Sequence, residues 1–327
     1  MKTRIAGVVF GAVVIGLVVL FLSWPSRRAP CPQPARQAGV GSPVAPTNVT
    51  ATRGPNLAPH IAQRSFPGIA WPDLGTSPPG LAGIMGQKGE QGFPARLKAV
   101  HDLGQDLPEA EVAGLYSLLY RKKGEDGLPP DGLNALKNDA ANALKAQHQP
   151  PKDLARHLMS MYYDPTQDAI WRDYCVQHLG SLYAKTADEQ EQRWIRDLFW
   201  QATEETAGSI AGTALIALSD NAGQPGIGKA DVVARALALA QDAKCSETSK
   251  TTALQICAEL GEAKVLPAAR ALAASARSIP LRMSAIAVLG TLGGEVDRPV
   301  LEGYAAGADG RLRTAARSAL SRLGKGR

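Results

Sequence analysis

Lys250-Thr-Thr-Ala253-Leu-Gln-Ile-Cys-Ala-Glu-Leu260-Gly261 is the stretch on which the fold turns, because its pattern returns twice further along the chain. Arg282-x-x-Ala285 runs to Leu292-Gly293, and Arg313-x-x-Ala316 runs to Leu323-Gly324. The glycines stand 32 and 31 residues apart, the period of a helical hairpin that stacks on copies of itself. A unit of that length cannot bury its apolar face alone. Stacking supplies the core and leaves an extended surface, which suits binding more than catalysis. Leu-Gly at each repeat end predicts a left-handed glycine cap that lets the chain reverse.

Upstream, apolar residues recur at helical spacing from Phe93 onward, between breakers. A helix over 96–103 stops at Gly104, and Leu107-Pro108-Glu109 opens one bearing Val112, Leu115, Leu118 and Leu119, with Pro near its first turn. Leu128-Pro129-Pro130-Asp131 opens another through Leu133, Leu136, Ala140 and Leu144, and Pro150-Pro151 ends it. Further helices are expected from Asp153 through Met161, over 170–179, near 187–206, at 207–218 and at 230–241. Hydrophobic residues make up 45% of the chain but aromatics only 5%. The apolar material is therefore mostly Ala, Leu and Val, which suits closely packed helices rather than sheet.

Over 247–324 the pattern of a basic residue, Ala three positions on and a closing Leu-Gly resembles HEAT repeats of the short bacterial type. In that family the pattern belongs to the second helix of each repeat. The likeness is specific over these 78 residues and weaker over 93–246, where the spacing is irregular. It implies an all-α fold, an α-solenoid of about six stacked helix pairs over 93–327, and a scaffold or recognition role rather than a chemistry. It also implies that second helices line the concave side. Lys250, Arg282 and Arg313, joined by Arg311 and Arg317, would then form a basic track for a protein partner. The competing use of these residues is structural, as ladder contacts or as cations suited to a helix end. Family members often pair the basic residue with an acid slightly earlier. Asp309 would serve Arg313 and Glu247 would serve Lys250, while nothing acidic stands just before Arg282.

The net charge of +6 is concentrated at the two ends. Residues 1–72 hold seven basic residues and 311–327 hold six, both without acids, so that 73–310 carry 23 basic against 30 acidic residues. An acidic body argues against nucleic acid as a partner, since phosphates require a basic face. Residues 5–22 are 18 residues without a charge, between Lys2 and Arg4 on one side and Arg27 and Arg28 on the other. At ~1.5 Å per residue they span ~27 Å, enough for a bilayer core. No A-x-A-like cleavage site follows, so the expectation is an uncleaved transmembrane helix over 5–24 with a cytoplasmic stub at 1–4. The rest of the chain would then stand outside the cytoplasm, in the periplasm, making a single-pass inner or plasma membrane protein. Gly7-x-x-x-Gly11 has the spacing of a helix-dimerisation face, so weak self-association there is a further expectation. Residues 25–92 contain 12 of the 23 prolines and read as an extended tether. Phe66, Ile69, Trp71, Leu74, Leu81 and Ile84 near its end suit a cover for the first helix pair.

Eight of the 17 aromatics fall within 162–200: Tyr162, Tyr163, Trp171, Tyr174, Tyr183, Trp194, Phe199 and Trp200. Trp171, Tyr174, Cys175, His178 and Leu179 follow the spacing of a buried helix face. Core packing is the first reading, with Trp171, Trp194 and Trp200 as candidate protein contacts. Asp164, Asp168 and Asp173 read as ordinary surface charges of helices. The five histidines show no zinc spacing, there is no Cys-x-x-Cys, and no nucleophile elbow, phosphate loop or dinucleotide fingerprint occurs. No catalytic residue, cofactor or metal is therefore expected, and the chain reads as a non-enzyme. Cys175 and Cys257 read as small buried apolar residues, while Cys245 sits in a loop from which it could meet either of them. Two other roles compete with a scaffold. A membrane-tethered folding factor shares the order of anchor, spacer and helical body, but the Arg-x-x-Phe-Asp-Tyr signature of lipase-specific foldases is missing. A lyase-type subunit or another enzyme would need a nucleophile or cofactor pocket that no motif marks.

Overall fold

The computed structural model describes residues 92–124 and 127–323, and all regular structure among them is helical. Thirteen α-helices follow one another: α1 Phe93–His101, α2 Glu109–Tyr120, α3 Pro130–Lys145, α4 Leu154–Tyr163, α5 Ala169–Tyr183, α6 Glu189–Ala202, α7 Ile210–Asp220, α8 Lys229–Gln241, α9 Glu247–Leu260, α10 Leu266–Ser275, α11 Ile279–Leu292, α12 Arg298–Ala306 and α13 Gly310–Arg322. Two short 3-10 turns, Ala263–Val265 and Glu295–Asp297, lead into α10 and α12. None of these helices is long and apolar enough to cross a membrane. The expected span at 5–24, the tether at 25–92 up to its last residue and the apolar cover at its end lie outside the described residues.

The helix starts follow from side chains that bind otherwise unpaired backbone N–H groups. Asp168 accepts from Ile170 N at 2.9 Å, Asp188 from Glu191 N at 2.8 Å and Ser246 from Ser249 N at 3.2 Å. Prolines open α3, α10, α11 and α12 within their first two positions, where a missing N–H costs nothing. Gly261 ends α9 in the left-handed region at φ 78°, as its Leu-Gly pair predicts. Gly293 does not: its backbone is extended, at φ −71° and ψ −178°. What requires glycine there is space, since an added Cβ would lie 2.3 Å from the Leu289 carbonyl oxygen. Gly324 lies outside the described residues.

Pairing is regular. Each even helix from α2 to α12 packs on the odd helix that follows it, and the odd helices pack in sequence from α1 to α13. An interior member of the odd row is covered on several sides, and its sequence shows it. On α11, Leu281, Ser284, Ala285, Ile286, Val288, Leu289 and Gly290 are all buried. On α13, the last helix of the row, only Leu312, Ala316 and Ala319 are buried, while Arg311, Thr314, Arg317 and Ser321 face solvent. α13 thus carries a single apolar stripe and a polar outer face.

The repeat alanines Ala253, Ala285 and Ala316 are fully buried, which explains why a small residue recurs three positions after each basic one. Small residues also set the spacing elsewhere in the row. A Cβ on Gly290 would lie 2.4 Å from Ala319 Cα, one on Gly212 3.2 Å from Ser249 Cα, and one on Gly180 3.0 Å from Ala217 Cβ. Backbones this close leave no room for a larger side chain at these three positions. Each fully buried Leu contributes about 1.5–3 kcal/mol.

Candidate functional site

The repeated basic residues occupy one structural position, the fourth residue of an odd helix. From there each reaches back to the end of the even helix before it. Lys250 Nζ donates to Ala243 O at 3.4 Å, Arg282 Nε to Ala273 O at 3.2 Å, and Arg313 Nη1 to Gly307 O at 2.9 Å and Ala308 O at 3.3 Å. A helix end presents carbonyls without intrahelical partners and partial negative charge, so a cation there satisfies both needs. The expected pairs of Arg313 with Asp309 and of Lys250 with Glu247 do not form among the described residues. Asp309 instead accepts from the Arg311 and Leu312 N–H groups at the start of α13, at 2.9 and 3.2 Å, and lies 3.9 Å from Arg311 Nε. The three basic side chains are thus mostly committed within their own helix pairs, whereas Arg311 and Arg317 are exposed.

A fourth member of the series escaped the sequence pattern. Arg172 is the fourth residue of α5, and its Nε donates to Tyr162 O at 2.7 Å, in the last turn of α4. Its other nitrogens grip Glu205 at 3.0 and 2.8 Å, and its guanidinium lies 5.0 Å from the Tyr162 ring centre. The signal was present in Arg172-x-x-Cys175, with cysteine in place of the buried alanine, but Leu182 is followed by Tyr183 rather than glycine. At the same position α3 has Leu133 and α7 has Thr213.

A charge ladder does exist, and it runs between even helices. Arg156 on α4 meets Glu191 on α6 at 3.1 Å. Arg235 on α8 donates to Thr203 O at 2.7 Å, just past α6, and pairs with Glu204. Arg270 on α10 meets Asp297 at 2.6 Å, at the turn before α12. Asp297 is buried, also accepts the Gly294 N–H, and has its pKa held below the usual carboxylate range chiefly by the Arg270 hydrogen bond.

The aromatic region is core over much of its area. Trp171 is 0% exposed, its indole N–H directed at Met161 Sδ and its ring 5.2 Å from Lys137 Nζ. It therefore has no surface for a partner, which removes it from the candidate contacts. Tyr162, Tyr183 and Phe199 are also buried, while Trp194 and Trp200 are half-buried. Two polar residues stand out here, Asp173 against expectation and His178 on the face that its spacing predicts to be buried. Asp173 is no ordinary surface charge: Ser209 donates to one carboxylate oxygen, the other is enclosed, and burial raises its pKa against the pull of the Ser209 and Thr213 hydroxyls. Both ring nitrogens of His178 are enclosed without a hydrogen bond, and burial pushes its pKa down to about 3, with Lys145 adding to the effect. Asp164 caps Thr166 and Asp168 caps α5. Cys175, Cys245 and Cys257 are buried free thiols.

A groove on α12 combines open space with polar and apolar lining. It has a volume of about 550 Å³ and runs along α12 beside the turn into α13. Pro299, Val300, Gly303 and Leu312 supply apolar or open lining, and Arg282, Tyr304 and Asp309 supply polar groups. Val300 is 47% exposed and Val296, one helical turn earlier, is 74% exposed. No group of His, Cys, Asp and Glu able to hold a metal occurs among the described residues. A scan against protein-family models finds no match to this chain, and searches of curated proteins and of solved structures likewise find none.

Proposed function

We propose that this chain is a membrane-anchored protein-binding scaffold or assembly factor that works through a HEAT-like α-solenoid surface. The observation that carries this reading is the continuous odd row from α1 to α13, with an even helix laid against each step. A row of this kind grows by adding pairs and presents its surface over many repeats, which favours recognition of another macromolecule. The apolar, uncharged run at 5–22 supports a single-pass anchor in the inner or plasma membrane. The proline-rich segment after it supports a tether, with the helical body in the periplasm. The reading assigns no catalytic step and no cofactor. Among the residues first marked for contact, Arg282, Arg311, Arg317, Trp194 and Trp200 retain surface for a partner.

In-cell crosslinking followed by affinity capture of the full-length chain tests this reading, with a chain ending at residue 92 as the control. A scaffold yields a defined partner protein that disappears with the helical body. The same set of proteins on both chains, or nothing above background, would contradict it. A phosphatase fused to the C-terminus, active only outside the cytoplasm, reports the topology.

A further inference from the structure

We propose that the groove along α12 receives an extended protein segment in which an acidic side chain meets Arg282 and a nearby aliphatic side chain lies on Pro299, Val300 and Leu312. This rests on the scaffold reading and specifies where a partner sits.

Three observations carry it. First, Gly303 lies within α12 and lines the groove, yet a Cβ built on it meets nothing within 4 Å. Glycine is the poorest helix former after proline, and Gly290 and Gly212 are explained by backbones or side chains packed against them. Folding alone does not require glycine at 303. An occupant lying along the helix does, because a side chain there would fill its path. Second, Arg282 uses Nε on Ala273 O and Nη2 on the Tyr304 hydroxyl at 3.4 Å, with its guanidinium 5.4 Å from the Tyr304 ring centre. Nη1 makes no hydrogen bond among the described residues, so a fixed guanidinium presents a donor at the groove. A carboxylate is the favoured acceptor for such a group. Asp309, in the same wall, accepts the Arg311 and Leu312 N–H groups; it faces Arg282 as well as Arg311 but takes no hydrogen bond from Arg282 among the described residues.

Third, charge and polarity match an acidic, aliphatic occupant. Arg311 stands exposed next to Leu312 and adds a second cation beside Arg282, against the single carboxylate of Asp309 in the lining. Val296 and Val300 are the large hydrophobic residues most exposed among those described, and they continue the apolar strip beyond the groove. The nine residues of α12 extend about 14 Å, which matches about four residues of extended chain.

The test uses the full-length chain in detergent micelles, panned against a displayed library of random peptides. Enriched peptides should carry Asp or Glu within a few residues of Leu, Ile or Val. A fluorescein-labelled selected peptide should lose about tenfold or more in affinity on Gly303→Trp, which fills the groove and leaves the Arg282 contacts intact. Its Asp→Asn or Glu→Gln analogue should lose a similar factor. Gly303→Trp should not lower the unfolding midpoint, which separates a blocked groove from a damaged fold. Absence of enrichment, enriched peptides without an acid, or unchanged affinity in Gly303→Trp would overturn the proposal. So would a wild-type dimer that Gly303→Trp converts to monomer, which assigns the groove to a second copy. Crosslinks from position 300 into residues 1–91 of the same chain would assign it to the chain's own N-terminal part. If Gly303→Trp still captures the crosslinked partner in cells, the groove assignment falls while the scaffold reading stands.

Discussion

Arg282 donates to the Ala273 carbonyl at 3.2 Å, and Tyr304 donates to the same oxygen, so one carbonyl near the end of α10 joins α11 and α12. Arg313, Lys250 and Arg172 make the corresponding reach in their own pairs. The recurring basic residue of this sequence thus ties the two helices of a pair together. Its regular spacing follows from the need to satisfy a helix end every time the chain turns back.

An ordered set of stability losses follows from that role. Replacement by Met keeps the stem and removes the donors, and a hydrogen bond to a charged group contributes about 1.5–3 kcal/mol. Arg172→Met should lie at the top of this range, because it also strips Glu205 of two bonds. Arg313→Met should follow, and Arg282→Met should cost less because Tyr304 still serves Ala273 O. Lys250→Met, with one 3.4 Å contact, should cost under about 1 kcal/mol. Urea denaturation of the four variants checks the order.

Two glycines on neighbouring helices should respond in opposite directions to the same substitution. Gly290→Ala places a methyl 2.4 Å from Ala319 Cα and should destabilise by about 1–3 kcal/mol through overpacking. Gly303→Ala meets open space and should stabilise α12 by about 0.5–1 kcal/mol. Thermal unfolding of both variants measures the contrast.

His178 gives stability a pH dependence of known sign. Its pKa falls to about 3 in the fold because burial disfavours the imidazolium, with Lys145 nearby. The unfolded chain takes up the proton near the ordinary value of about 6.5. The unfolded state then binds more protons throughout the window from about 6.5 to about 3, and stability falls as pH falls through it, by up to about 1.4 kcal/mol per pH unit. His178→Leu should flatten that slope in denaturation curves collected across the window.

Asp173 works in the opposite sense. Burial raises its pKa above the ordinary carboxylate value, so its contribution is most favourable at low pH. That contribution is lost as pH rises from about 4 through the folded-state value. Asp173→Asn keeps an acceptor for Ser209 and removes the enclosed charge. It should raise stability at neutral pH and have little effect below pH about 3, read from the same urea curves.

Much of the fold was legible because it is periodic. The Lys250, Arg282 and Arg313 repeats announce helix pairs, Pro129-Pro130 opens α3, and Pro150-Pro151 falls in the connection between α3 and α4. Contacts that depend on distant residues were not legible. Asp173 looks like a solvated charge until Ser209, 36 positions on, closes over it. Trp171 is buried as its spacing indicates, but the partners that enclose it, Met161 and Lys137, are not readable from that spacing. The even-row ladder of Arg156–Glu191 and Arg270–Asp297 joins residues 35 and 27 apart without a repeated motif. The groove depends on an empty space over Gly303, and no residue pattern records an empty space.

Native mass spectrometry of the 327-residue chain, purified in detergent from the cells in which it is expressed natively, tests the scaffold reading most directly. A scaffold predicts a complex of this chain with a second polypeptide in fixed ratio, absent when residues 93–327 are removed. The bare chain alone, or bound masses that persist without the helical body, would contradict it.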